Sequence, residues 1–376
     1  MKETNSSKKI VMRLITFSVP LILSGLLQQL FNWVDALIVG NILGETALAG
    51  VGTTSAIYNL FVTVLVGFTS GLSVLFAQQY GEGKHSKSVR LLENYCIILA
   101  LAFVVVSVLG IIFTPAILNL MDTPKQLFSY ARDYLLIIFA GIPFLAVYNT
   151  YSAALRGMGN SRVPFVAVLI SSVTNAVLDY LFIAYCDWGV SGAAAATVIS
   201  QAAMTVYVVF YTIAKYPGLR FSLLGKREYG RTVREGIKYG MPPAVQCSVS
   251  SIGNLFLQRF MNGFGEQTVA AITTAYRVDT VLLLPIINLS TAISTLVAQE
   301  TGAGNKETAK KIFKQGTVLM SAMSLVLTGV ILVTGKMLLS LFGLGAGAVN
   351  IGGDFFRAIA VFYVINGLGM SIKGYL

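Results

Sequence analysis

Three oxygen-bearing side chains of this chain sit at one depth inside otherwise apolar stretches. Asp35 lies in "FNWVDALIVG", Asp179 in "SSVTNAVLDYLFIAYCDW" and Thr197 in "SGAAAATVIS". Each is about five to seven residues from the nearer end of its stretch, which at about 1.5 Å per residue is roughly 8 to 11 Å below a common surface. Asn175 and Asp179 are spaced i, i+4 and Asn32 and Asp35 i, i+3, so on helices each pair shares a face. An acid in hydrocarbon costs on the order of 3 kcal/mol, and such acids usually line an interior cavity on an ion or proton path. Two carboxylates with amide and hydroxyl oxygens nearby can hold Na⁺ in an oxygen cage. They can equally keep one proton between them, because two buried charges of one sign repel. The plainer alternative for each acid alone is a helix-packing hydrogen bond.

The elements that must position these groups are membrane helices. Of the 376 residues 55 % are hydrophobic and 11 % charged, against about a quarter charged in soluble domains. Apolar stretches occur at 14–39, 49–78, 94–114, 133–155, 164–186, 191–214, 239–261, 269–298, 315–342 and 355–376. Each is long enough to cross about 30 Å of hydrocarbon as a helix, and the alternation of an outer-membrane barrel is missing. The first stretch runs on past Gln28 and Gln29 to Val39 without a small-residue cleavage site, so it reads as a retained helix rather than a signal peptide.

Charge supplies the orientation. The net charge is +11, and 21 of the 27 Lys and Arg fall on one side of the proposed helices, including Lys8, Lys9, Arg13, Arg156, Arg162 and the run from Lys215 to Lys238. The loops "NILGETALAG" and "GLGAGAVNIGG" on the other side have no basic residue. The positive-inside rule puts the N-terminus in the cytoplasm, in a plasma-membrane protein, and the excess charge does not point to nucleic acid. Cys96, Cys186 and Cys247 are isolated and read as packing residues, and His85, the single histidine, reads as a solvated loop residue. No metal cluster, nucleotide loop or nucleophile motif gives support to an enzyme.

The chain repeats itself at a shift of 221 residues: "SVLFAQQYGEG" (73–83) falls on "STLVAQETGAG" (294–304), Gly44 on Gly265, Ala49 on Ala270 and Asp133 on Asp354. The first copy occupies 1–214 with six helices, a basic cytoplasmic linker 215–238 follows, and a second copy fills 239–376 with four. An even number of crossings makes the two copies parallel repeats. The shift places Leu376 on Leu155, so the second copy stops two helices short; this reads as a cut twelve-helix protein or a ten-helix variant. Asp35 falls on Phe256, and Asp179 has no counterpart, which confines the ionisable site to the first copy.

Two further features carry expectations. In "AYRVDTVLLLP" Arg277 and Asp279 enter helix 8, with Arg357 at similar depth in helix 10; a structural ion pair between Asp279 and Arg357 is the expected arrangement, with substrate recognition or lobe coupling as the other possibility. Pro20, fifteen residues before Asp35, removes a backbone hydrogen bond from helix 1 and is expected to kink it, so that the helix can move when the acid is neutralised.

The stretches "PLILSGLLQQLFNWVDALIVGNILGETALAGVG", "AQQYGEGK", "YSAALRGMGNSRVPF", "NAVLDYLFI" and "GAAAATVIS" resemble the signatures of the multidrug and toxic compound extrusion family across essentially the whole chain. The resemblance implies an all-α polytopic membrane protein of two homologous helical bundles, six helices plus four of an expected six, forming a V-shaped cavity. It implies export of cationic or amphipathic organic compounds by antiport against Na⁺ or H⁺ through alternating access, in a monomer with the lipid bilayer as its surroundings and no other cofactor. On the family pattern the coupling-ion site carries over to Asp35, Asn175, Asp179 and Thr197, with a backbone carbonyl from Ala193 and the helix-1 kink at Pro20. The chain departs from other branches of the family, which place carboxylates where Gln246 and Asn366 stand. A lipid-linked oligosaccharide flippase of the same superfamily and a truncated, non-transporting membrane protein are the competing readings.

Overall fold

The structure, a computed structural model, describes residues 7–83, 85–216, 229–261, 264, 266–342 and 344–375. Among the described residues ten long helices run in order: α1 Ser7–Leu43, α2 Glu45–Gly81, α3 His85–Leu120, α4 Lys125–Gly157, α5 Arg162–Tyr180, α6 Gly189–Lys215, α7 Tyr229–Met261, α8 Glu266–Gly302, α9 Lys306–Leu341 and α10 Ala346–Lys373. Nine of them are long and apolar enough to cross a membrane among the described residues, all but α7. The helices outrun the apolar stretches of the sequence, because a helix continues into the headgroup zone where polar residues are tolerated. Apolar side chains such as Leu101 and Ile112, each 62 % exposed, and Val333, 83 % exposed, lie on outward faces of these helices. Residues 217–228 of the expected basic linker lie outside the described residues.

The internal repeat is visible in the backbone. Gly83 and Gly304 both adopt positive φ, 70° and 77°, where a side chain would be strained. The two turns make the same hydrogen bonds 221 residues apart: Glu82 N to Gln78 O and Gly83 N to Tyr80 O in one, Ala303 N to Gln299 O and Gly304 N to Thr301 O in the other, each 3.0 Å. The "AQxxGxG" signature is therefore a helix C-terminal turn used twice.

Packing divides the chain differently from the repeat. One compact unit is Met1–Leu26 with Val249–Leu376, the other Leu27–Ser248. The sequence boundary follows ancestry, whereas this one follows contact, and α1 and α7 each change unit partway along. In the first unit Ile10, Leu14, Phe17 and Leu21 of α1 are buried with Ile286, Leu289, Ile293 and Met320. In the second, the first half of α7 lies against α2: a Cβ on Gly71 would fall on the Tyr239 carbonyl, and one on Gly67 would meet Ala244 Cα at 2.8 Å. The signature glutamines tie both arrangements. Gln299 Oε1 accepts from Arg13 Nη2 of α1 at 3.0 Å, and Gln78 Oε1 accepts from the Tyr239 hydroxyl of α7 at 3.0 Å. Arg13 also donates to Glu300 at 2.7 Å.

Within Leu27–Ser248, α4 is the central helix and is buried along most of its length by α2, α3 and α6. Its core partners include Leu72, Phe76, Tyr95, Ala167, Met204 and Val208. Cys96 is buried there as expected, but Cys186, after α5, is exposed.

Candidate functional site

All of the expected ion-site residues except Pro20 belong to the unit Leu27–Ser248. They come from the second half of α1 and from α5 and α6. An apolar cluster of Val39, Ala47, Val51, Ile183, Val190 and Ala193 holds the ends of these helices together beside the site. This packing fixes which face of α1 carries Asp35 toward α5.

Asn175 and Asp179 are completely buried, and Thr197 is 6 % exposed. Asn175 Nδ2 donates to Thr197 Oγ1 at 3.3 Å, which turns the amide oxygen the other way. The carboxyl groups of Asp35 and Asp179 are close enough to interact directly. Yet Asp35 Oδ1, Asn175 Oδ1 and both carboxylate oxygens of Asp179 are buried without a protein donor. Four acceptor oxygens on three residues thus have no protein hydrogen to accept, although buried polar atoms in proteins are nearly always paired. Chemically this set takes a positive charge: a bare cation coordinated by oxygens, or a proton shared by the acids.

Ala193 sits one helical turn before Thr197 and is fully buried in the apolar cluster, so its side chain serves packing. Pro20 lies within α1 with no break in the helix, and the Ser24 hydroxyl donates to its carbonyl at 2.8 Å. Phe256, which the repeat sets against Asp35, is 69 % exposed on α7.

The expected ion pair of the second copy is replaced by two other contacts. Arg357 Nη1 donates to Asp354 Oδ1 one helical turn back, at 3.2 Å on the surface of α10. Asp279 instead accepts from the Tyr363 hydroxyl, and Arg277 is exposed. An i, i+3 partner on the same helix is reached with less loss of side-chain freedom than one on another helix, and sequence depth alone misses it.

Three residues at the site were not foreseen. Tyr134 of α4 lies beside Asp35, Asp179 and Thr197, and Gln201 of α6 donates to the Tyr58 hydroxyl of α2 at 2.8 Å. Gln201 extends Ala193 and Thr197 in an i, i+4, i+8 row, a signal the sequence does contain. The tyrosines read as interfacial anchors in a linear sequence. Immediately after Asp179 and Tyr180 the helix widens into a π-helical turn, Leu181–Tyr185, closed by Cys186 N to Leu181 O at 3.1 Å. Such turns are rare and concentrate at functional sites. This one is seated by Phe182 stacked on Trp188, ring centroids 4.6 Å apart.

Repeated bundles of membrane-length helices, one of them enclosing acids without donors, define a polytopic membrane protein of the kind from which transporters are built. Comparison with known proteins narrows this. The family model MatE matches residues 20–181 and 242–376, and the chain belongs to that family, one of transporters rather than enzymes. The chain is 29 % identical over 367 residues to the probable multidrug resistance protein YpnP of Bacillus subtilis, covering 97 % of this chain and 82 % of the relative. It is 31 % identical over 334 residues to the probable multidrug resistance protein YoeA of the same organism, covering 87 % of this chain and 72 % of that protein. In fold it is similar to an outward-facing multidrug resistance MATE family transporter, with a TM-score of 0.90 and 22 % identity over 99 % of this chain and 82 % of the other.

Proposed function

We propose that the chain is a secondary active transporter that exports cationic or amphipathic organic compounds by antiport against Na⁺ or H⁺. The observation that carries this reading is the set of four buried acceptor oxygens on Asp35, Asn175 and Asp179 without protein donors. The naming of both Bacillus subtilis relatives as probable multidrug resistance proteins supports the cargo.

The site would work by differential occupancy. A Na⁺ or proton at Asp35 and Asp179 stabilises the conformation that gathers α1, α5 and α6 around it, and organic substrate stabilises the alternative, so the two ligands compete through one equilibrium. Asn175 and Thr197 orient the amide oxygen toward the acids. Tyr134 and the Tyr58–Gln201 bond support the site from α4 and α2. The chain would lie in the plasma membrane as a monomer, with its N-terminus cytoplasmic. The flippase reading calls for a cluster of cations, and among the described residues Arg277 is exposed and Arg357 is engaged by Asp354.

The test is ethidium extrusion from cells that lack their own efflux pumps. Cells expressing the chain should accumulate several-fold less ethidium than cells expressing Asp35→Asn with Asp179→Asn. Equal accumulation in both would remove the site from the mechanism.

A further inference from the structure

The second copy of the repeat has an acid of its own that the coupling site does not use. Asp279 stands on α8, thirteen residues after Glu266, about 20 Å along the helix at 1.5 Å per residue and so well inside the span. An acid at that depth is costly and marks function by default. The Tyr363 hydroxyl of α10 donates to one carboxylate oxygen, Oδ1. Tyr363 is 3 % exposed, whereas Asp279 itself is half-buried, so the acid faces the accessible side of the contact.

The surroundings are aromatic. Tyr276 is one turn before Asp279 on α8, and its ring lies 5.4 Å from that of Phe355 on α10. Phe355 continues to Phe356 at 6.3 Å. Val278, Ile331, Phe356, Ala360 and Tyr363 form the buried floor beneath. All of these residues belong to one compact unit.

The repeat makes the position informative. The 221-residue shift sets Asp279 on Tyr58 and Phe355 on Tyr134, of which Tyr134 lies beside the acids of the first copy and Tyr58 beside Tyr134. The equivalent helix positions thus lie near acids in both copies, with different company: a second acid, an amide and a hydroxyl in one, and an acid beside Tyr276 and the Tyr363 hydroxyl in the other. A metal ion such as Na⁺ needs several oxygens, and among the described residues the one side-chain hydrogen bond shown to this carboxylate comes from Tyr363. A bulky, weakly hydrated organic cation needs a single counter-charge and aromatic faces.

We propose that Asp279, held by the Tyr363 hydroxyl and flanked by the rings of Tyr276 and Phe355, binds the cationic head of an organic substrate, at a site separate from the Asp35–Asp179 pair. The proposal rests on the reading of the chain as an exporter of organic cations. It is tested on the purified full chain in detergent, with binding of ethidium and tetraphenylphosphonium measured by fluorescence polarisation and calorimetry. N-phenylnaphthylamine serves as a neutral probe.

Asp279→Asn is expected to weaken both cations at least tenfold while leaving the neutral probe within twofold. The stabilisation of the protein by Na⁺ or acid, which reports on Asp35 and Asp179, should be unchanged in that variant. Asp279→Glu should keep cation affinity within about threefold, and Tyr363→Phe, which frees the carboxylate, should keep or tighten it. Wild-type cation affinity in Asp279→Asn, equal weakening of cationic and neutral probes, or loss of binding in both Asp279→Glu and Tyr363→Phe would overturn the proposal. Failure of the ion-linked stabilisation in the wild type, with cation binding still dependent on Asp279, would instead overturn the coupling site and leave this one standing.

Discussion

Replacing Asp179 by asparagine keeps the shape of the side chain and removes one buried charge. In the wild type both Asp179 oxygens and Asp35 Oδ1 lack protein donors. Two carboxylates about 4 Å apart at an effective dielectric of about 20 repel by about 4 kcal/mol, which a bound cation or shared proton removes. A ligand present at about 100 times its dissociation constant stabilises the folded state by about 2.7 kcal/mol. For a unit the size of Leu27–Ser248, that is a rise of about 5 °C or more in melting temperature. The assay is thermal unfolding of the purified chain in detergent, with choline chloride exchanged for NaCl at pH 8.5 or with the pH lowered to 6 without Na⁺. One of these changes should raise the wild-type midpoint by about 5 °C. Asp179→Asn, whose amide can donate to Asp35, should start from an equal or higher midpoint and lose most of that response. An Asp179→Asn protein that still gains the full 5 °C would refute the assignment, because its site would no longer need the positive charge.

Three other perturbations follow from the same contacts. Thr197→Val takes the acceptor from Asn175 Nδ2, a buried loss of about 1–3 kcal/mol, and should raise the ion concentration for half-maximal stabilisation about tenfold; an unchanged midpoint concentration would make the Asn175–Thr197 bond structural only. Gly71→Leu drives a side chain into the Tyr239 carbonyl of α7, at a cost of about 3 kcal/mol or more, and should reduce the yield of folded protein severely, which size-exclusion chromatography would detect. Arg13→Gln breaks the contact with Glu300 on α8, where the side chains are 39 % and 15 % exposed. Its expected cost is about 1 kcal/mol, and with Glu300→Gln the two effects should fall short of additive in a double-mutant cycle.

Much of this architecture is legible in the residues alone, for physical reasons. Hydrocarbon thickness sets a length that every span must meet, so the helices announce themselves. The two "AQxxGxG" stretches announce a shared turn, because Gly83 and Gly304 both require positive φ. Asp35 and Asp179 stand out because acids are rare at that depth, and the structure brings their carboxyl groups together.

What the sequence conceals is equally specific. The π-helical turn after Asp179 depends on an i→i+5 register with no composition of its own. Tyr58 and Tyr134 join the site only through neighbouring helices, which a linear sequence does not place. Arg357 is settled by Asp354 on its own helix, a local contact that depth matching overlooked. The first half of α7 joins the unit of α2 through close approach at Gly67 and Gly71, and the first half of α1 joins the other unit through Ile10, Leu14, Phe17 and Leu21, neither of which a repeat boundary registers.

The measurement that bears most directly on the central claim is ethidium transport in proteoliposomes under an imposed gradient. With wild-type protein, either an inward-directed Na⁺ gradient or an inward-directed proton gradient should drive ethidium outward at least several-fold faster than no gradient. Asp35→Asn with Asp179→Asn should reduce that driven flux to the ungraded rate. Gradient-driven transport that persists undiminished in the double variant would contradict the account.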